Sequence, residues 1–185
     1  MDHHHLWIEE LMMQQHDSLS VKLRSDLSAN RGDPKGTIVV VGYRLANAAR
    51  GTGTKPRAAS IPVGILYQII IGWILGVEIP WSACIGQGLK VQHGYGIVVH
   101  RRSTIGSFCT LKQGVTLGVR GGSIIEDGAP VLGDSVIVGS HAQILGPVRI
   151  GSGAKIGAAA VVLSDVPAES SAVGNPARII LKEER

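Results

Sequence analysis

Three histidines could move a proton. His93 lies in the run Gln92-His93-Gly94-Tyr95-Gly96-Ile97-Val98-Val99, His100 follows directly, and His141 lies in Gly139-Ser140-His141-Ala142. A hydroxyl does not lose its proton unaided at neutral pH. An imidazole, which titrates near ~6.5, can take that proton, and a well-placed one speeds such a step by roughly 10²- to 10⁴-fold. The bland alternative for each is a histidine on a solvent-facing corner. Cys84 and Cys109 form neither a CxxC pair nor a metal-ligand spacing. They read as small apolar packing residues of a reducing compartment, and no metal is expected.

Such groups act only on a scaffold. The chain has 185 residues, 44% hydrophobic, 17% charged and 4% aromatic, with 25 glycines. That length buries a sizeable core. Low charge excludes a disordered chain, and glycine without a G-X-Y period excludes collagen. So few rings argue against a single-strand nucleic-acid binder. The net charge of +4 comes from scattered residues whose densest groups, Arg101-Arg102 and 182–185, are short. It reads as a solvated basic surface that also suits a small polyanion. Met1-Asp2-His3-His4-His5 is not a basic region followed by an apolar one, so no secretory signal is expected and the chain reads as cytoplasmic.

Residues 1–76 carry helix-like stretches at 6–15, 19–27, 37–49 and 60–75, broken at Asn30-Arg31-Gly32-Asp33-Pro34 and Gly51-Thr52-Gly53-Thr54. Within them, 61–77 has Gln68 as its only strongly polar member and stands at the lower limit for a membrane span. Ser60 before Pro62 suits a helix start, whereas Gly64, Gly72 and Gly76 weaken the helix. A helix buried between subunits explains the same pattern, and peripheral contact at the inner face of a membrane is the alternative.

From Ile79 onward the period becomes six. Apolar residues fall at Ile79, Ile85, Val91 and Ile97, then at Ile105, Leu111 and Leu117, then from Leu132 through Val138, Ile144, Ile150 and Ile156 to Val162. A glycine often follows, and a small residue often stands two positions before. Six is neither a helix nor a plain strand period; it is the mark of a parallel β-helix. Each short strand points one branched side chain inward, and coils must stack because none buries its own apolar face. Two extra residues between Ile97 and Ile105 and a longer loop at 119–129 interrupt the repeat. Long loops on rigid scaffolds commonly carry function.

Several stretches resemble the left-handed β-helix acyltransferases of the serine acetyltransferase branch. They are Val77-Glu78-Ile79, Ile85-Gly86-Gln87-Gly88, His93 through Val99, Gly114-Val115-Thr116-Leu117-Gly118, Ile144-Leu145-Gly146, Lys155-Ile156-Gly157-Ala158 and Gly174-Asn175-Pro176-Ala177-Arg178. Asp33-Pro34 and Tyr43-Arg44 fit the branch's helical region, so the likeness spans about 26–181. Leu66-Tyr67-Gln68-Ile69-Ile70 leading to Gln92-His93-Gly94-Tyr95 looks most similar to acetyltransferases of colanic-acid and capsule synthesis.

The resemblance implies a mainly β fold: a helical region (1–76), a left-handed parallel β-helix (77–166) and a C-terminal tail (167–185). It implies a homotrimer binding acetyl-CoA between neighbouring β-helices, with the helical region available to pair trimers. His93 is then the base and Glu78 its orienting acid, where the serine enzymes carry Asp; a surface carboxylate is the bland reading of Glu78. Gly118 is the oxyanion-side candidate, Ser140 and Ala158 line the pantetheine groove, and Lys155, Arg178 and Lys182 face the phosphates of CoA. Each has an ordinary alternative as a corner residue or solvated charge.

The departures concern the acceptor. Serine acetyltransferases have Asp before the catalytic His, and this chain has Gln92. They have Arg-His before the loop's Pro, and here Gly128-Ala129 precede Pro130. Asp33 does match a serine-contacting Asp, and His141 or His100 stands as a replacement for the second His. The reading is O-acetylation of a sugar or oligosaccharide hydroxyl in exopolysaccharide or capsule synthesis. Serine O-acetylation is the first alternative, and a non-catalytic β-helix scaffold the second.

Overall fold

The computed structural model describes residues 17–51, 56–121 and 128–181. The helix expected at 6–15 and Lys182 therefore lie outside the described residues, as does most of the loop expected at 119–129.

Among the described residues three α-helices precede the repeats: α1 (Leu19–Ala29), α2 (Pro34–Arg50) and α3 (Ile61–Tyr67). Helix α2 starts three residues before the expected stretch. Asp33 accepts the Gly36 N–H at 2.8 Å and Pro34 occupies the first turn, which together set a helix start upstream of the first apolar residue. Ser60 does not cap α3 through its side chain; its hydroxyl donates to the Arg57 carbonyl at 2.7 Å. The expected helix at 60–75 is α-helical only to Tyr67 and continues as a wider π turn over Gln68–Ile74. Among the described residues no helix is long and apolar enough to cross a membrane.

Short strands then wind into a parallel β-solenoid with three faces. One sheet runs β1 (Val77–Glu78), β4 (Ile97–Val99), β7 (Thr116–Gly118), β10 (Gln143–Leu145) and β13 (Val161–Val162). The second runs β2 (Cys84–Ile85), β5 (Thr104–Ile105), β8 (Val131–Leu132) and β11 (Arg149–Ile150). The third runs β3 (Lys90–Gln92), β6 (Thr110–Lys112), β9 (Ile137–Val138), β12 (Lys155–Ile156) and β14 (Ser171–Val173), with β15 (Arg178–Ile180) folded back antiparallel on β14.

The hexad positions line the core. Ile105, Leu111, Leu117, Leu132, Val138, Ile144 and Ile150 are all fully buried, and so are the small Cys109, Ala142, Ala154 and Ala160. Ile144 pairs with Val162, three hexads on. The first coil differs from the expected register. Val77, not Ile79, pairs with Ile97, two residues more than three hexads away. The first turn thus carries the same two-residue insertion as the next one, and the six-residue spacing from Ile79 to Ile85 is coincidental. Trp81 fills the resulting corner, packed so closely on Gly64 that a Cβ there would lie 2.5 Å from its ring.

A solenoid leaves the backbone of its first coil without a neighbour on one side, an edge that must be covered. Side chains from the helices replace the missing coil in sequence order. Tyr67 donates to the Ile79 carbonyl (2.6 Å), Asn47 to Trp81 (2.6 Å), Tyr43 to Ala83 (2.7 Å) and Arg44 to Ile85 (2.7 Å) and Gly86 (2.5 Å). Asp26 accepts the Leu89 N–H at 2.9 Å, while Asn30 donates to the Leu89 carbonyl and accepts the Val91 N–H. The final rung is Asp33, accepting the His93 N–H at 3.1 Å. Asp26 and Arg44 are also ion-paired at 2.7 Å, with relative exposures of 0% and 2%.

Candidate active site

His93 stands where this ladder ends. Its backbone is left-handed (φ 53°), a conformation a non-glycine residue adopts only when its surroundings hold it there. Gly94 follows because a Cβ would lie 2.7 Å from the Val91 side chain. Asp33 holds the His93 N–H with one carboxylate oxygen and caps α2 through Gly36 with the other. These amides, Gly36 first, keep the Asp33 carboxyl below its ordinary value despite partial burial. Asp33, expected to touch the acceptor, is thus seen fixing the loop that carries the imidazole.

The exposed His93 side chain opens on a cleft of about 320 Å³, shared with Arg31, Asp33, Lys90 and Gln92. Lys35 sits 5.6 Å above the ring of the neighbouring, exposed Tyr95. Arg31, Lys90 and Lys35 were not singled out from the sequence, because the chain turn at 30–33 and the strand at 90–92 meet only in the fold.

Glu78 is exposed on β1 and lines a different cavity, about 790 Å³, together with Trp81, Arg50, Arg101 and Arg102. Within one chain the structure does not bring Glu78 to His93. His100 lies at the other end of β4, its Nδ1 accepting the Arg102 N–H at 3.3 Å. Burial, then the charges of Arg102 and Arg101, push its pKa below the ordinary value.

One edge of the prism collects most of the remaining residues. Corner hydrogen bonds run up it from Gly114 N–H to Tyr95, His141 N–H to Gln113 and Ala159 N–H to Ser140. His93 and Tyr95, then Gln113 and Gly114, then Ser140 and His141, then Ala158 and Ala159 therefore stack along this edge over successive coils. His141 is exposed, left-handed (φ 59°) and seated against Gly114, whose added Cβ would strike the imidazole. The Ser140 hydroxyl lies 3.1 Å from Gln113 Oε1. Lys155 and Arg178 are exposed on β12 and β15 of the sheet that ends at this edge. Gly118 lies on β7 opposite Leu145, at the base of the loop.

Cys109 is fully buried, and burial pushes its thiol up to about 12, which leaves no thiolate for chemistry. Among the described residues no three His, Cys, Asp or Glu side chains form a group that could hold a metal ion.

The profile described as "Bacterial transferase hexapeptide (six repeats)" matches residues 129–164. The serine acetyltransferase of Helicobacter pylori (strain 26695) is 45% identical over 111 residues, which cover 60% of this chain and 64% of that protein. That of Synechococcus elongatus is 41% identical over 59% of this chain and 44% of its own length. The chain thus spans less than two thirds of these relatives. The putative colanic acid biosynthesis acetyltransferase WcaB of Escherichia coli K12 is 32% identical over 157 residues, 83% of this chain and 96% of that protein.

Among solved structures, soybean serine acetyltransferase superposes with a TM-score of 0.76 at 33% identity, over 88% of this chain and 69% of the other. A serine acetyltransferase complexed with CoA gives 0.72 at 31% identity, over 94% and 74%. Apart from WcaB, these proteins bear the name serine acetyltransferase. The hexads, their three-faced winding and near-complete coverage of one relative lead to one conclusion: the chain belongs to the hexapeptide-repeat acyltransferases, in the serine acetyltransferase branch.

Proposed function

We propose that the protein transfers the acetyl group of acetyl-CoA directly to a hydroxyl, with His93 as general base. The observation that carries this reading is the placement of His93: an exposed imidazole on a backbone pinned by Asp33, at the foot of the edge along which Ser140 and Ala158 follow. His93 takes the hydroxyl proton as the oxygen attacks the thioester carbonyl, and the C–S bond breaks as the carbonyl re-forms. The proton passes to the departing sulfur, so CoA leaves as the thiol and no acyl-enzyme is needed. Lys155, Arg178 and Lys182 are the candidates for the phosphates of CoA, and Gly118 for the oxyanion side.

Glu78 and His93 line separate cavities of one chain. Their pairing is therefore proposed between adjacent chains of the trimer, where Glu78 would orient the imidazole and stabilise its charged form.

For the acceptor, the relatives named serine acetyltransferases support L-serine. A sugar hydroxyl is supported by Gln92 and Gly128-Ala129, which take away charges a zwitterion needs, and by the match to nearly all of the WcaB relative. We place the sugar first. The test is release of CoA thiol from acetyl-CoA with L-serine and with a panel of sugars and oligosaccharides, each repeated with His93→Ala. Release with a sugar, falling at least about 10²-fold in His93→Ala, is the expected result. Release with L-serine alone replaces the sugar by serine and keeps the mechanism.

A further inference from the structure

We propose that the acceptor carries an anionic group, the carboxylate of an acidic sugar or the phosphate of an activated one, and that Arg31 and Lys90 hold it beside His93. This rests on the sugar reading above and narrows its substrate class. The cleft contains two cations and one carboxylate. Both oxygens of that carboxylate already accept backbone N–H groups, from Gly36 and His93, so Asp33 is held in place by the fold and balances only one of the two cations.

An acceptor amine entering here would face Arg31 and Lys90, with Asp33 as the one carboxylate and Gln92 neutral. An anion would find a guanidinium able to bind it in two-pronged fashion and an ammonium as a point charge. Lys90 is half-buried on β3, where partial loss of water strengthens its pull on an anion. Lys35, over Tyr95, adds a third positive charge at the same corner.

The cavity that holds Glu78 has the same sign. It sets Arg50, Arg101 and Arg102 against that one carboxylate, and Trp81 lines it with an aromatic surface of the kind sugars stack on. If the trimer brings this cavity against the His93 cleft of an adjacent chain, both walls of the acceptor site are basic.

The test is steady-state release of CoA thiol by the full-length protein with matched acceptors. An oligogalacturonate is compared with its carboxyl-reduced counterpart, UDP-glucose with glucose, and L-serine stands apart. The expected result is a kcat/KM at least about tenfold higher for one acidic member than for its neutral match. That ratio should shrink with added salt and fall about tenfold in Lys90→Gln and in Arg31→Gln, chiefly through KM. The uronate pair and the UDP-glucose pair separate carboxylate from phosphate.

Turnover of sugars without acidic preference, or a preference unchanged in both variants, overturns the acidic acceptor and leaves the sugar reading standing. Turnover of L-serine and of no sugar overturns both. Titration calorimetry of the same probes on the CoA-loaded protein decides the matter where none is turned over. Acidic members binding no tighter than their neutral matches refute the proposal.

Discussion

Removing Asp26 should unseat the cap that closes the solenoid. Its carboxylate is fully buried, pairs with Arg44 Nε at 2.7 Å and accepts the Leu89 N–H at 2.9 Å. In Asp26→Ala the Arg44 guanidinium stays buried, still donating to the Ile85 and Gly86 carbonyls but stripped of its counter-charge. Breaking a buried pair from one side costs about 3–5 kcal/mol. At roughly 2–4 °C per kcal/mol for a chain of this size, the melting temperature should fall by about 6–20 °C. Asp26→Asn keeps an acceptor for Leu89 and loses the charge, so it should cost less, about 1.5–3 kcal/mol. Melts at equal protein concentration measure the loss, since any self-association adds to apparent stability. Hydrogen exchange at the Leu89 and Val91 amides locates it, and both should lose protection ahead of the Ile144 and Ile150 coils. A loss under about 1 kcal/mol for Asp26→Ala, or equal protection across all coils, would refute the capping argument.

Asp33→Ala should cost about 1 kcal/mol as a lost helix cap. It should also lower kcat for CoA-thiol release more than it changes KM for acetyl-CoA, because it frees the His93 backbone and leaves Ser140 and Ala158, coils away, untouched. The Asp33 pKa is depressed in the fold, so its contribution is present above its ordinary value of 3.8 and is lost as pH falls through the lower folded value. The melting-temperature gap between parent and Asp33→Ala should therefore be constant above about pH 4 and close in more acid buffer; a gap that widened there would contradict the assignment. Cys109, with its thiol pushed up to about 12, should resist a thiol reagent at pH 8 until the protein unfolds. Labelling of Cys109 at the same rate in folded and denatured protein would show the coil to be open.

The repeat from Ile85 to Val162 was legible along the chain because each coil repeats one simple demand. A branched side chain goes inward and a small residue or glycine turns the corner, so period alone reports the winding. The misreading at Ile79 has the same root: a hexad spacing was present, but the pairing of Val77 with Ile97 is made across coils and leaves no local mark. Gly94, part of the run that singles out His93 in the sequence, has a structural reason in the closeness of Val91.

The capping ladder was not legible. Asp26, Asn30, Tyr43, Arg44, Asn47 and Tyr67 look like ordinary helix residues in one dimension, and each becomes a rung only when the helices lie along residues 79–93. The cleft was hidden for the same reason, because Arg31 and Lys90 belong to segments far apart in the chain. Periodic burial is a local requirement, which the order of residues states by itself. Satisfying a particular buried carbonyl, or placing two cations beside one imidazole, depends on distances between remote segments, and only the tertiary structure decides those.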